Sequence, residues 1–135
     1  MAGLRTNTSF YEIGSGSFLH CFFSNIAYHL ENQKWGSRFP TIMHDLYYKK
    51  LNPEQLENAK NELKTIQEEF KNFAPSTVIW DIEDLTKRPP WGDNIASHIT
   101  DLSNYFWTSD GQNLFDVFNK ALNDAIESNS DLMIS

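Results

Sequence analysis

The sequence has one cysteine, no long apolar run and, in its second half, few basic residues. Cys21 is the single cysteine among 135 residues, which excludes an intramolecular disulfide and a four-cysteine zinc site. No run approaches the roughly 18 apolar residues of a transmembrane helix, and the N-terminal segment lacks the apolar core of a secretory signal. We therefore expect a protein of the reducing cytoplasm.

The formal net charge of −7 is unevenly distributed. Residues 1–74 hold eight acidic and eight basic residues, whereas residues 75–135 hold ten acidic residues and three basic ones. An acidic half repels nucleic acids and anionic membranes, so neither is expected as a partner, and it attracts basic proteins. Acidity that only keeps a small protein soluble is the alternative interpretation.

Apolar periodicity predicts four helices. With 40% apolar and 14% aromatic residues, the chain can fill one core, and its length fits one domain over residues 1–135. The predicted helices cover 17–30, 39–47, 53–73 and 113–127. The third is the most regular, because Asn52 supplies a cap and a proline follows at the first helical position.

Four short segments are predicted as strands: 8–14, 77–82, 102–107 and 131–134. The second, TVIWDI, is rich in β-forming residues and too short for a helix. Its successor, residues 83–98, contains a double proline and a glycine and is expected to form a long loop. The predicted fold class is α+β, with a small mixed or antiparallel sheet of about four strands covered by about four helices.

The histidines and the cysteine do not predict a metal or cofactor site. His20 and His29 lie about 180° apart around a regular helix, so they are not expected to share a metal ion. Cys21 follows His20 directly, but adjacent helical residues do not face each other, so a buried structural cysteine is expected. The sequence therefore predicts neither a metal nor a cofactor.

Asp81 and Glu83 are the best candidates for catalysis. As alternate residues at the end of a predicted strand they share one face, which suits general acid/base chemistry or a cation. The same placement also presents two negative groups to a basic partner, and no phosphate-binding glycine loop accompanies them. A small metal-dependent hydrolase using Asp81 and Glu83 is therefore the alternative function, and a homodimeric structural subunit is a third.

The stretch from Trp80 to Trp107 combines aromatic and acidic residues, as protein interfaces do. Trp80 is expected in the core. Trp91 follows a double proline in the predicted loop, where it either points outward toward a partner or folds down as a lid over the sheet, and both options remain open. The candidate partner-binding residues are Trp91, Asp93, Glu83, Asp84, Asp101 and Asp110.

This stretch also carries a resemblance to a known family. The segments VIWDIEDL, PPWGDNI and ITDLSNYFWTSDGQNLF, together with FYEIGSGSFLH and WGSRFPTIMHDLY nearer the N-terminus, make the chain resemble the immunity protein 70 family of bacterial polymorphic-toxin systems. The similarity covers most of the chain. It implies a cytoplasmic protein, encoded beside a toxin, that binds the toxin domain and blocks it without catalysing a reaction.

The resemblance and the charge together predict the partner. Many such toxins attack nucleic acids and are basic, so an acidic, aromatic-rich surface suits them. The predicted binding segment is residues 83–94, and the predicted partner is a basic cognate toxin domain bound by a monomer or a homodimer. Neither the sequence nor the resemblance decides between occlusion of the toxin's active site and binding elsewhere.

Overall fold

The computed structural model describes residues 1–92 and 94–135. Within them, three strands form one antiparallel sheet: β1 (Ala2–Arg5), β2 (Phe10–Gly14) and β3 (Met133–Ile134). The strand order is β2-β1-β3, so the N-terminal strand is central and pairs with the C-terminal strand.

The first two helical segments follow the sheet's N-terminal hairpin. Helix α1 (Gly16–Asn25) begins after Ser15, whose hydroxyl accepts a hydrogen bond from the backbone N–H of Phe18 at 3.0 Å. It continues without a break into a π-helical segment, Ile26–Leu30. A second π-helical segment covers Thr41–Leu46.

The two longer helices pack against each other. Helix α2 (Leu56–Phe70) follows a 3₁₀ turn, Pro53–Gln55, which Asn52 and Gln55 close with a capping box. Helix α3 (Leu114–Ser128) ends at Asn129, which adopts the left-handed conformation that terminates many helices. Besides α2, helix α3 contacts β1 and β2.

The α+β class and the antiparallel sheet are confirmed, and all four predicted helical regions are helical. The strand count is lower than predicted, because two predicted strands are wrong. Residues 102–107 begin with a 3₁₀ turn, Leu102–Asn104, capped by Asp101, and only Trp107 forms an isolated bridge. Residues 77–82 do not join the sheet, because Thr77 ends a 3₁₀ turn, Pro75–Thr77, and Ile82 lies in a further turn. The short β1 was not predicted.

The core is dominated by phenylalanine. Phe22 of α1 is fully buried, and its ring contacts five others at centroid distances of 5.3–6.4 Å. Four of these five pairs are edge to face, an arrangement that stabilises beyond the area it buries. None of the helices in residues 1–92 and 94–135 combines the length and the apolar character needed to cross a bilayer.

Candidate functional site

Residues 77–82 lie along α1, and the side-chain amide of Asn25 makes the backbone hydrogen bonds that a neighbouring strand would make. The Oδ1 atom of Asn25 accepts a hydrogen bond from the N–H of Ile79, and its Nδ2 atom donates to the carbonyl of Ile79, both at 2.9 Å. The hydroxyl of Ser24 accepts from the N–H of Ile82 at 3.2 Å. Side chains of α1 therefore satisfy three backbone groups of this β-forming run, which a neighbouring strand would otherwise pair with.

Sequence reasoning missed this tether, which we define as Ser24, Asn25 and His29 with residues 77–82. Ser24 and Asn25 are fully buried, although both are polar. A signal was present, because two adjacent polar residues fall within a predicted helix whose other inward positions are apolar. Buried polar residues of this kind are nearly always hydrogen bonded, so the two side chains predict a hydrogen-bonding partner in another segment of the chain.

Cys21 adds to the same attachment. Its thiol is fully buried and lies 3.3 Å from the carbonyl oxygen of Ile79, to which it donates. Burial raises the pKa of the Cys21 thiol to about 12, so the group stays protonated at neutral pH. The expectation of a buried structural cysteine is confirmed.

His29 closes the other end of the tether and makes it sensitive to pH. Its Nε2 atom lies 2.9 Å from the carbonyl oxygen of Thr77, so Nε2–H donates to it. Burial lowers the pKa of His29 from its usual 6.5, partly offset by this hydrogen bond. As the pH falls below 6.5, the unfolded chain takes up the proton first, so stability is lost on acidification.

We therefore expect the free energy of unfolding to fall between about pH 7.5 and pH 5.5, and part of that fall to disappear in His29→Gln. Urea unfolding at both pH values checks this. His98→Gln, at an exposed histidine, is the control and should retain the wild-type pH dependence. An unchanged pH dependence in His29→Gln would contradict the assignment.

The tether brings His20 to the predicted catalytic pair. The Nε2 atom of His20 lies 3.3 Å from Oδ1 of Asp81, and the same carboxyl oxygen accepts a hydrogen bond from the N–H of Glu83 at 2.9 Å. One potential metal-ligand atom from each of these three residues lies within 4.8 Å of the other two. The sequence predicted Asp81 and Glu83 together, but it did not predict His20 beside them.

The other side of the His20 ring is also held. Its Nδ1 atom lies 2.7 Å from the hydroxyl oxygen of Tyr47, and its ring stacks on Trp35 at 6.0 Å between centroids. The pKa of the Tyr47 hydroxyl is raised, first by burial and then by neighbouring groups that include Glu83 and Asp81. The hydroxyl is therefore neutral at physiological pH and available to His20.

Trp91 folds down toward the core and leaves one edge exposed. Its indole N–H donates to the Tyr105 hydroxyl at 2.6 Å, and its ring meets Trp80 edge to face at 5.6 Å. It also contacts Phe18, yet 37% of its surface remains accessible. Trp91 thus folds down onto aromatic side chains outside the sheet, rather than over the sheet as one of the two predictions had it, and keeps an accessible edge. Trp80, expected in the core, is only partly buried.

An open apolar cavity of about 190 Å³ lies beside Trp91. Ile95, Ile99 and Trp107 form part of its wall. The cavity adjoins the predicted binding loop, so the exposed edge of Trp91 lies next to a concave apolar surface.

Three of the predicted contact residues lie on the same loop. Glu83 is exposed, and Leu85, which the prediction did not include, is half exposed at 50%. Hydrogen bonds from the hydroxyl and the N–H of Thr86 hold the pKa of Asp84 below its usual value, so Asp84 keeps its charge. Trp91 is the third, and Asp93 lies outside the described residues.

Asp101 and Asp110 lie elsewhere and have local structural roles. Asp101 caps the 3₁₀ turn by accepting from the N–H of Ser103 at 2.8 Å. Asp110 accepts from the Thr108 hydroxyl and the Gln112 side chain, which hold the pKa of Asp110 below its usual value. Both carboxylates are thus engaged in turns, while Asp110 remains exposed and charged.

Comparison with known proteins shows the family. The sequence model of the family described as immunity protein 70 matches residues 4–134, which is nearly the whole chain. No match was found among curated proteins or among solved structures.

Proposed function

The chain belongs to the immunity protein 70 family, and on this basis we propose that it binds a cognate bacterial toxin domain and neutralises it in a stoichiometric complex. The family match over residues 4–134 is the observation that carries the proposal. Such a protein acts in the cytoplasm of the cell it protects and needs no catalytic group. Binding to the toxin domain is itself what inhibits the toxin.

We place the centre of the toxin contact on the loop of residues 83–94. Interfaces concentrate their binding energy in a few large, partly apolar side chains surrounded by polar ones. Trp91 and Leu85 supply exposed apolar surface, and Glu83 and Asp84 supply negative charge. A stable complex of this kind buries roughly 800 Å² on each partner, so neighbouring surface contributes as well.

The tether supports this placement because it fixes the start of the loop before any partner arrives. Ile79 and Ile82 are hydrogen bonded to α1, and Trp91 is hydrogen bonded to Tyr105. Residues that are already held in place lose less conformational entropy on binding, which favours high affinity.

The charge of the chain supports a basic toxin as the partner. The net charge of −7 comes from residues 75–135, which include the loop, Asp101 and Asp110. Hydrogen bonds within turns do not remove the charge of these carboxylates, so they add to the long-range attraction of a basic protein. We propose that they raise the association rate more than the affinity.

Charge reversal on the loop tests the binding surface. We expect Glu83→Lys with Asp84→Lys to slow association with the toxin domain by about tenfold at low salt and to weaken its salt dependence. Stopped-flow or biosensor kinetics at two salt concentrations measure both effects. Glu54→Lys with Glu57→Lys, in the charge-balanced half of the chain, is the matched control. Equal association kinetics in the two double variants would show that the loop is not part of the interface.

Co-expression tests the function itself. The tagged chain is expressed with the toxin domain encoded by its immediate genomic neighbour, and both growth and co-purification are measured. We expect growth to be rescued and an equimolar complex to be recovered. Absence of both complex and rescue would refute the proposal.

A further inference from the structure

We propose that His20, Asp81 and Glu83 form a binding site for a transition-metal ion of the Zn²⁺ class. A potential ligand atom from each of the three lies within 4.8 Å of the others. Ligands about 2.0–2.2 Å from a tetrahedral zinc ion lie roughly 3.4 Å apart. His20 Nε2 and Asp81 Oδ1, at 3.3 Å, are already at that spacing. The Glu83 side chain is exposed, and one of its carboxyl oxygens lies within 4.8 Å of the other two ligand atoms.

The His20 ring is oriented as a metal ligand requires. A coordinating imidazole presents the lone pair of one nitrogen to the ion and donates the N–H of the other to a fixed neighbour. The Tyr47 hydroxyl oxygen, 2.7 Å from Nδ1, is placed to accept that hydrogen bond, and the Trp35 ring stacks on the imidazole. Nε2 therefore faces the two carboxylates.

The ligand types decide which ions fit. Two carboxylates balance the charge of a divalent ion, and an imidazole selects first-row transition metals such as Zn²⁺ over Mg²⁺ and Ca²⁺, which prefer oxygen ligands only. Three protein ligands leave a fourth position of the tetrahedron to water. The sequence alone did not predict this site, because it places His20 far from the carboxylates.

A lysine competes with the ion. Nζ of Lys87 lies 3.9 Å from Oδ2 of Asp81, and the Lys87 side chain is 59% exposed. Its positive charge partly compensates the carboxylate when no metal is bound and opposes a cation beside it. Removing this charge while keeping the chain length, as in Lys87→Met, is therefore expected to strengthen metal binding.

A bound ion would link α1 to the start of the 83–94 loop. Metal binding to the folded state alone stabilises it in proportion to the logarithm of the metal concentration. The ion thus reinforces the tether at the end opposite His29. Binding requires no toxin, so its test is independent of the proposed function.

Calorimetric titration of the metal-stripped chain with zinc sulfate measures the site. We expect one zinc ion per chain, a rise in melting temperature with added zinc, and no comparable binding of magnesium chloride. Glu83→Gln and His20→Ala should each weaken zinc binding by at least about tenfold, since even groups that only support a metal ligand contribute this much. Lys87→Met should bind zinc more tightly than the wild type.

The controls separate this site from general binding to histidine and acidic groups. His98→Ala and Asp116→Asn remove an exposed histidine and an exposed carboxylate of α3, and both should keep the wild-type affinity. Glu83→Gln alters an exposed side chain, so its loss of affinity would not reflect misfolding. No zinc binding by the wild type, or wild-type affinity in either Glu83→Gln or His20→Ala, would overturn the proposal.

Discussion

Glu31→Gln is expected to lower the free energy of unfolding by about 2–4 kcal/mol. The Glu31 side chain is buried within a loop and accepts three backbone hydrogen bonds. Oε1 accepts from Gly36 at 2.9 Å, and Oε2 accepts from Arg38 and Phe39, both at 3.0 Å. A glutamine amide has one oxygen, so its NH₂ group must face at least one of these backbone N–H donors. That N–H is then buried without an acceptor, which costs the full free energy of its desolvation.

The surrounding loop cannot easily rearrange to compensate. Gly36 adopts φ = +79°, a conformation that side chains disfavour, and a Cβ atom there would collide with the His44 ring. Because Gly36 packs closely against His44, we expect the backbone N–H donors to keep their positions when the carboxylate is replaced. Glu31→Ala, which removes both acceptor oxygens and so all three hydrogen bonds, should therefore cost more than Glu31→Gln.

Urea unfolding followed by tryptophan fluorescence measures the loss. Glu127→Gln makes the same chemical change at an exposed position of α3 and should alter stability by less than about 0.5 kcal/mol. If Glu31→Gln and Glu127→Gln cost the same, the three hydrogen bonds to Glu31 would contribute nothing measurable to folding.

The sequence predicts the helices well because their signals are local. In α2, Asn52, Pro53 and an apolar stripe lie within one continuous segment, and capping and periodicity need no information from elsewhere in the chain. The π-helical character of Ile26–Leu30 and Thr41–Leu46 was not predicted. A single wider turn hardly changes an apolar pattern.

The strands were harder to predict because pairing is not local. TVIWDI has a high intrinsic preference for β structure, but that preference does not specify what lies beside it. The amide of Asn25 satisfies the backbone of Ile79 instead of another strand. The short β1, by contrast, has little strand signal of its own and forms because two other strands flank it.

The candidate site was predicted in part. Composition predicts the 83–94 loop as the binding segment, and this stays a prediction, although Glu83 and Trp91 are exposed there. The proximity of His20 to Asp81 follows only from the tether, since 61 residues separate them in the chain. A regular helix would place His20 and His29 on opposite sides, but His29 lies in a π-helical segment, and both histidines contact residues 77–82.

Asn25→Asp is expected to lower the free energy of unfolding by about 3 kcal/mol and to weaken toxin binding. The Nδ2 atom of Asn25 donates to the carbonyls of Cys21 at 2.8 Å and of Ile79 at 2.9 Å. A carboxylate of the same shape donates to neither, and it places an uncompensated charge against two buried carbonyl oxygens. The largest effect should fall on residues 77–92, which the tether holds.

Hydrogen exchange measures, amide by amide, which part of the chain Asn25→Asp loosens. In Asn25→Asp, the amides of Ile79 and Ile82 should exchange faster than in the wild type by a larger factor than the amides of α2, because local opening of the tether precedes global unfolding. Asn123→Asp, the same substitution at an exposed position of α3, is the matched control and should change neither exchange nor toxin affinity. If Asn25→Asp loosens residues 77–92 but leaves toxin affinity unchanged, the toxin contact lies on another part of the surface. If both change together, the buried amide of α1 is what keeps the binding loop in place.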